Sequence, residues 1–243
     1  MTTQRVDGRR PDEHRPITIT PGVAKHAEGS CLIEVGETHV LCTATVESQI
    51  PGWLRGQGRG WVTAEYAMLP GSTPDRKRRG PDSRGTEIQR FIGRSLRASV
   101  DLSLMPGLLI TCDCDVLVAD GGTRTASVTG AFVALALALA HARRAGRLPE
   151  DQDPILGAVA AVSVGIVDGR PHLDLDYAQD SRADVDMNVT MNRKGEFVEV
   201  QGTGEKGVFN RAQLDQLLDL AARGVRKLIL VQRETLKRAR GTR

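Results

Sequence analysis

The sequence predicts an α+β fold with an internal duplication, two successive halves that each run from strands into helix. Three observations carry that prediction. Paired β-rich runs flank glycine-containing turns in both halves, helix-period runs follow each set, and the most apolar segment sits near the middle of the chain. The halves match in pattern and not in letters, at about 15–146 and 155–236. At 243 residues and 40% hydrophobic content the chain can bury a full core, and it is read as a single domain over 1–243.

In the first half, Ser30–Val35 and Thr38–Val46 alternate in character around Gly36-Glu37, which predicts a hairpin. A third extended run, Trp61–Leu69, leads into Pro70–Gly85. That stretch is rich in Gly, Pro, Ser and Arg and lacks periodicity, so it reads as a long basic loop, a class of segment that is usually functional or disordered. Thr86-Glu87-Ile88-Gln89 has capping-box spacing, and Ile88, Phe91, Ile92, Ser95, Leu96 and Ser99 recur at helical intervals, so a helix is expected from there toward Val100. Next comes a strand, Leu108–Val118, with Ile110, Cys112, Cys114, Val116 and Val118 on one face. The tight turn at Gly121-Gly122 then opens an apolar helix.

The second half offers two further hairpins, Val159–Val167 with His172–Tyr177 around Asp168-Gly169, and Asp184–Met191 with Phe197–Gln201 around Arg193-Lys194-Gly195. Asn210-Arg211-Ala212-Gln213 caps a helix with Leu214, Leu217, Leu218 and Ala221 on one side. From Gly224 a last helix, or a strand and helix, runs into the basic tail Lys237-Arg238-Ala239-Arg240.

Several function classes lose ground on composition. Met1–Gly8 lacks the apolar run of a signal peptide, and no stretch reaches the roughly 18 to 20 apolar residues of a membrane span. Gly130–Ala142 is shorter and alanine-rich, as a buried helix would be, so a cytoplasmic protein without a membrane partner is expected. The cysteines at 31, 42, 112 and 114 form no CxxC pair and are expected as reduced thiols. Five scattered histidines, with no HExxH, Walker A or strand-linked GxGxxG, weigh against zinc, nucleotide-cofactor and histidine-base chemistry. The net charge of +3 is mild, but Arg76-Lys77-Arg78-Arg79 and the basic tail concentrate positive charge as a polyanion binder does.

The strongest chemical signal is Gly121-Gly122-Thr123-Arg124-Thr125-Ala126-Ser127 at a strand-to-helix junction. Glycines there let backbone amides approach an anion, the helix N-terminus adds partial positive charge, Arg124 adds a fork of donors, and Thr123, Thr125 and Ser127 add hydroxyls. The plainer alternative is a glycine turn with a threonine cap and a solvated arginine. In Asp180–Asn188, alternation puts Val185, Met187, Val189 and Met191 on the core face and Asp184, Asp186 and Asn188 on an open one. Asp180, across a possible bend, could join Asp186 at a divalent cation with the oxygen ligands Mg²⁺ prefers, or the acids could simply line a solvated sheet face. For Asp113 and Asp115 the structural reading is favoured. Arg84, at the end of the basic loop just before the first helix, is a further candidate phosphate contact. The Arg76–Arg79 run is either a solvated tip or a grip on an RNA backbone. Two Trp, two Tyr and four Phe leave little for base stacking.

Five ordered blocks, Gly56–Tyr66, Glu87-Ile88-Gln89-Arg90, Gly121–Thr125, Asp186-Met187-Asn188 and Val200–Glu205, resemble the bacterial ribonuclease PH family over nearly the whole chain, Arg15 to Thr235. The resemblance implies the duplicated β-α ribonuclease PH fold of the ribosomal protein S5 domain 2-like class. It further implies a homohexamer built as a trimer of dimers, and phosphate-dependent 3′-to-5′ trimming of tRNA precursors beyond the CCA end, releasing nucleoside diphosphates reversibly. By the same resemblance, Arg84, Gly122, Thr123 and Arg124 bind inorganic phosphate, Asp180 and Asp186 are the catalytic carboxylates and hold Mg²⁺ or Mn²⁺, and Arg76 and Arg79 contact RNA. Gly71 stands where the family leads one to expect another arginine. Two other readings stay open, a non-catalytic RNA-binding ring subunit of the same fold and a hydrolytic metal-dependent nuclease.

Overall fold

The alternating runs of the first half pair into one sheet and those of the second half into another. In the computed structural model, which describes residue 5 and residues 8–80, 83–149 and 151–241, β1 (Ile17–Pro21), β2 (Gly29–Val35), β3 (Thr38–Glu47), β4 (Trp61–Met68) and β5 (Leu109–Val118) form a sheet in the order β1-β2-β3-β5-β4. Among the described residues only β4 and β5 pair in parallel, because α1 (Ser83–Arg97) carries the chain back between them. Most of Met1–Asp7, and Pro81 and Asp82 of the basic loop, lie outside the described residues.

The second sheet has the order β7-β6-β8-β9, from β6 (Val159–Val167), β7 (Arg170–Leu173), β8 (Val185–Asn192) and β9 (Phe197–Gly204), with every pairing antiparallel. Between the sheets runs α2 (Thr123–Arg144), with 16 of its 22 residues buried. It has no polar face because β2 and β3 cover one flank and β6 and α4 (Arg211–Gly241) the other. Its length and composition would suit a membrane span, but its surface is consumed by the core. Residues of β6 are buried throughout, since α2 and α4 both pack on it, which explains why it is apolar on both faces but for Ser163.

The structure corrects four expectations. The helix expected at Thr86 begins at Ser83, so Arg84 lies inside its first turn. The strand expected over His172–Tyr177 stops at Leu173, because Asp174 turns left-handed at φ 54° and the chain enters α3 (Tyr177–Asp180), capped by the Asp176 carboxylate on the Gln179 N–H at 2.9 Å. The C-terminal segments form one 31-residue helix through Gly224. A Cβ there would fall 2.6 Å from Leu173 Cδ1 and 3.0 Å from His14 Nε2, so that glycine marks a close approach and not a break. The second face of β8 is not open: Asn188 and Thr190 are buried, and Ser95 of α1 donates to Thr190 Oγ1 at 3.4 Å. β1, bounded by Pro16 and Pro21 at a sheet edge, had no sequence signal strong enough to announce it.

Candidate active site

The turn from β5 into α2 takes both of its glycines into the left-handed region, Gly121 at φ 74° and Gly122 at φ 68°. A Cβ at Gly121 would lie 2.6 Å from the Leu175 carbonyl oxygen and 2.8 Å from the Tyr177 nitrogen. Only glycine therefore lets this turn of the first half lie against the segment of the second half that leads into α3. That contact brings the start of α2, with its unpaired N–H groups and positive dipole end, beside Asp180 at the end of α3.

Gly122 is the N-cap of α2, so Thr123 is its first helical residue rather than a threonine cap. Thr123 is buried, with Oγ1 2.8 Å from the Tyr66 hydroxyl. The other two hydroxyls point elsewhere than expected. Thr125 donates to the Gly122 carbonyl at 2.9 Å and Ser127 to the Thr123 carbonyl at 2.8 Å, so both serve the helix and neither serves an anion. Arg124 projects from the first turn to Glu87 Oε2 at 3.2 Å and donates to Gln201 Oε1 at 3.1 Å, which fixes its fork between α1 and β9. Gln201 in turn donates to Glu87 at 3.2 Å and to Glu199 at 2.9 Å.

Two arginines and two carboxylates then act on one another. Burial raises the Asp180 carboxyl, the charges of Arg84 and Arg124 partly offset this, and Glu205 and Asp176 push it up further. Burial, followed by the charge of Asp180, pushes Asp186 up to about 6, against Arg124 and a weak hydrogen bond from Asn188 at 3.4 Å. Arg84 and Arg124 also counter, without cancelling, the rise that burial imposes on the Tyr66 phenol. Arg124 and Asp180 thus each act on Asp186, and Arg84 on Asp180, which puts the four residues expected from sequence in one electrostatic cluster with the first turn of α2.

The donor chemistry suits a hard divalent cation: oxygen ligands only, on two acids whose anionic forms are held at a disadvantage that a cation would relieve. Among the described residues no group of three or more His, Cys, Asp or Glu side chains could hold a metal ion, so a cation held here would take no more than two carboxylates from the protein.

A cleft of about 400 Å³ opens beside this cluster, walled by Tyr66, Lys77, Arg79, Arg84, Gln89 and Asp115. The basic loop above it is tied down at its base, where the Lys77 N–H meets the Pro70 carbonyl at 2.9 Å and the Ala119 N–H meets the Ser72 carbonyl at 2.8 Å. Arg79 therefore faces the cleft next to Arg84, whereas Arg76 is exposed on the loop away from its wall. Asp113 and Asp115, raised chiefly by burial, sit on the outer sheet face, and Asp115 also reaches the cleft floor. Sequence reasoning gave no part in the chemistry to Tyr66, Glu87, Asn188, Gln201 or Glu205. All five lie within the blocks that carried the family resemblance, which was the available signal.

Comparison with known proteins matches residues 13–140 to the first domain and residues 157–224 to the second domain of a 3′ exoribonuclease family. The Ribonuclease PH of Corynebacterium efficiens is 54% identical over 237 residues, covering 96% of each chain. That of Syntrophomonas wolfei is 51% identical over 238 residues, 96% of this chain and 99% of the other. Among solved structures, a chain of the Archaeoglobus fulgidus exosome with RNA bound to the active site superposes with a TM-score of 0.79 at 27% identity, over 93% of this chain and 91% of that one. Rice Rrp46 superposes with a TM-score of 0.76 at 19% identity, over 96% and 100%, a likeness of fold alone.

Proposed function

The chain belongs to the 3′ exoribonuclease family, and from that premise we propose that Arg84, Gly122, Thr123 and Arg124 hold inorganic phosphate for attack on an RNA 3′ end beside Asp180 and Asp186. The activity is phosphorolytic 3′-to-5′ exoribonuclease action, a nucleotidyltransferase-type reaction in which phosphate is the co-substrate. One observation supports the residue assignment above others: two arginines and two charge-disfavoured carboxylates act on one another where a left-handed glycine turn opens a helix.

The chemistry follows from the charges. Phosphate is already an anionic nucleophile, so the site needs no strong base, in keeping with a cluster that contains no histidine. Held by the helix N-terminus and the arginine forks, a phosphate oxygen bonds to the phosphorus of the last phosphodiester as the bond to the 3′ oxygen breaks. The terminal nucleotide leaves as a nucleoside diphosphate. The proton lost by hydrogen phosphate ends on the new 3′ hydroxyl, so the books balance without a further reactant. Asp180 and Asp186 would hold Mg²⁺ or Mn²⁺, which when bound supplies neutralising charge at the departing oxygen. Arg124 and Arg84 offset the negative charge gathered on the transferring group. Arg79 and Arg76 grip the RNA backbone in this reading, with Arg79 the nearer to the cleft.

We take the physiological RNA to be tRNA precursors trimmed beyond the CCA end, among other RNA 3′ ends, acted on by a homohexamer assembled as a trimer of dimers. What supports this is the identity of 51% and more to Ribonuclease PH relatives over almost their whole length. Free, buried thiols fit the cytoplasm we assign to it. The test is incubation of a 3′-extended tRNA with Mg²⁺, with and without phosphate, and identification of the released nucleotides. Phosphate-dependent nucleoside diphosphates are expected, together with nucleotide addition under excess diphosphate. Monophosphates released without phosphate would mean hydrolysis instead.

A further inference from the structure

A turn of two consecutive glycines is a poor anion holder by itself. Each peptide unit can flip at little cost, and a flip exchanges an N–H for a carbonyl oxygen that would repel phosphate. Something must fix which way the units face. At Gly121-Gly122 the carbonyls are gripped from the protein side. The Thr38 hydroxyl, fully buried, donates to the Gly121 carbonyl at 2.7 Å and accepts from the Asp120 N–H at 2.9 Å. Arg15, 5% exposed, donates through Nη1 to the Asp120 carbonyl and through Nη2 to the Gly121 carbonyl at 3.4 Å.

Arg15 is itself held on a fork. Its Nη2 meets Asp174 Oδ1 at 2.7 Å, its Nε meets Oδ2 at 3.0 Å, and its backbone N–H reaches Oδ2 at 2.8 Å. Asp174 keeps a left-handed backbone at φ 54°, with its N–H on the Ser163 carbonyl of β6 at 2.7 Å. Arg15 thus ties the turn of the first half to the second half, and its charge is opposed by Asp174, which it shares with Arg9 at 3.4 Å, and by Asp120 at 3.7 Å. Its effect on a phosphate is therefore one of geometry rather than charge.

Resting on the reading that this turn holds phosphate, we propose that Arg15, anchored by Asp174 and seconded by Thr38, is a positioning residue. It locks the Asp120 and Gly121 carbonyls inward and so sets phosphate affinity without touching the anion. A further consequence is that the clamp is complete only when the two halves are docked, since Thr38 grips the turn from within the first half and Arg15 takes its anchor from the second.

The experiment uses the full chain and four variants, Arg15→Lys, Arg15→Ala, Thr38→Val and, as calibrator, Arg124→Ala. KM for phosphate is measured at saturating RNA, KM for RNA at saturating phosphate, and melting temperature alongside. Arg15→Lys and Thr38→Val are expected to raise KM for phosphate by about 10-fold or more while KM for RNA stays within about twofold. Added methylguanidinium should restore part of the phosphate affinity of Arg15→Ala and none of that of Thr38→Val. Thr38→Val is nearly isosteric and keeps the test open if the arginine variants fail to fold. A lowered melting temperature with unchanged KM for phosphate in Thr38→Val and Arg15→Lys, while Arg124→Ala still raises it, would overturn the clamp and leave the site. An Arg124→Ala enzyme with unchanged KM for phosphate would overturn the site and the clamp with it.

Discussion

Arg124 of α2 and Glu87 of α1 meet at 3.2 Å, so the guanidinium that faces the two carboxylates is already partly neutralised before any anion arrives. Glu87 is half exposed, and a pair of that kind is worth under about 1 kcal/mol, so its use is to hold the fork in place. Glu87→Gln keeps a hydrogen-bonding side chain and frees the charge, so KM for phosphate should fall by about 2- to 5-fold. Arg124→Lys keeps the charge and loses the fork, and kcat/KM for phosphate should drop by roughly 10-fold or more. Steady-state kinetics with phosphate as the varied substrate checks both.

Asp186 makes a prediction about stability. Its carboxyl stands at about 6 in the fold, against roughly 3.9 in an unfolded chain. Between those values the folded state holds more proton than the unfolded state, so Asp186 costs stability as pH rises through about 4 to 6, and the cost is fully present above that. It amounts to about 2–3 kcal/mol. Metal-free Asp186→Asn protein should accordingly melt higher than the parent at pH 7.5, with the gap closing toward pH 4, while being inactive. Added Mg²⁺ should stabilise the parent and not the variant. Calorimetry in chelator at the two pH values, then with Mg²⁺, decides it.

The two loop arginines should not be equivalent. Arg79 lines the cleft beside Arg84 and Arg76 does not. Arg79→Ala should weaken binding of a long single-stranded RNA more than Arg76→Ala. It should also reduce the slope of log affinity against log salt by about 0.7, the share of one phosphate contact on a single strand. Fluorescence anisotropy at several salt concentrations measures this, and equal effects of the two substitutions would contradict the placement.

Gly121→Ala should be severe. The added methyl meets backbone atoms at 2.6 Å that have no rotamer to escape into, and φ is 74°. A loss of about 2–5 kcal/mol is expected, readable as a lowered urea midpoint. Gly107→Ala, at φ 74° with nothing within 4 Å, carries the backbone strain alone and should cost only about 1 kcal/mol.

Periodicity and turn chemistry made the hairpins, β6 and the apolar α2 legible, because each depends on neighbours a few residues away. Local signals misplaced the start of α1 and split α4 in two. The capping-box spacing at Thr86 lies three residues inside the helix that begins at Ser83, and Gly224, which reads as the start of a separate segment, marks a close approach to Leu173 and His14. The site residues Arg84, Gly122, Thr123, Arg124, Asp180 and Asp186 could be named from blocks of sequence, but the roles of Thr125 and Ser127 could not. Whether a hydroxyl serves its own helix or a ligand depends on a rotamer, which spacing does not encode. The Arg15–Asp174 fork joins residues 159 positions apart, and no local pattern announces such a pair.

The four thiols of the first sheet carry a consequence of another kind. Cys31 faces Cys42 and Cys42 faces Cys114 across three adjacent strands, Cys112 lies one pleat away, and none is more than 1% exposed. The Cys31 thiol donates to the Gly130 carbonyl of α2 at 3.2 Å, so the row is sealed by the same helix whose first turn is proposed to hold phosphate. An alkylating reagent can reach these sulfurs only in molecules where α2 has lifted from the sheet. Labelling rate becomes a clock for that opening, and its slowing by phosphate or RNA would report how firmly a bound substrate holds the helix down.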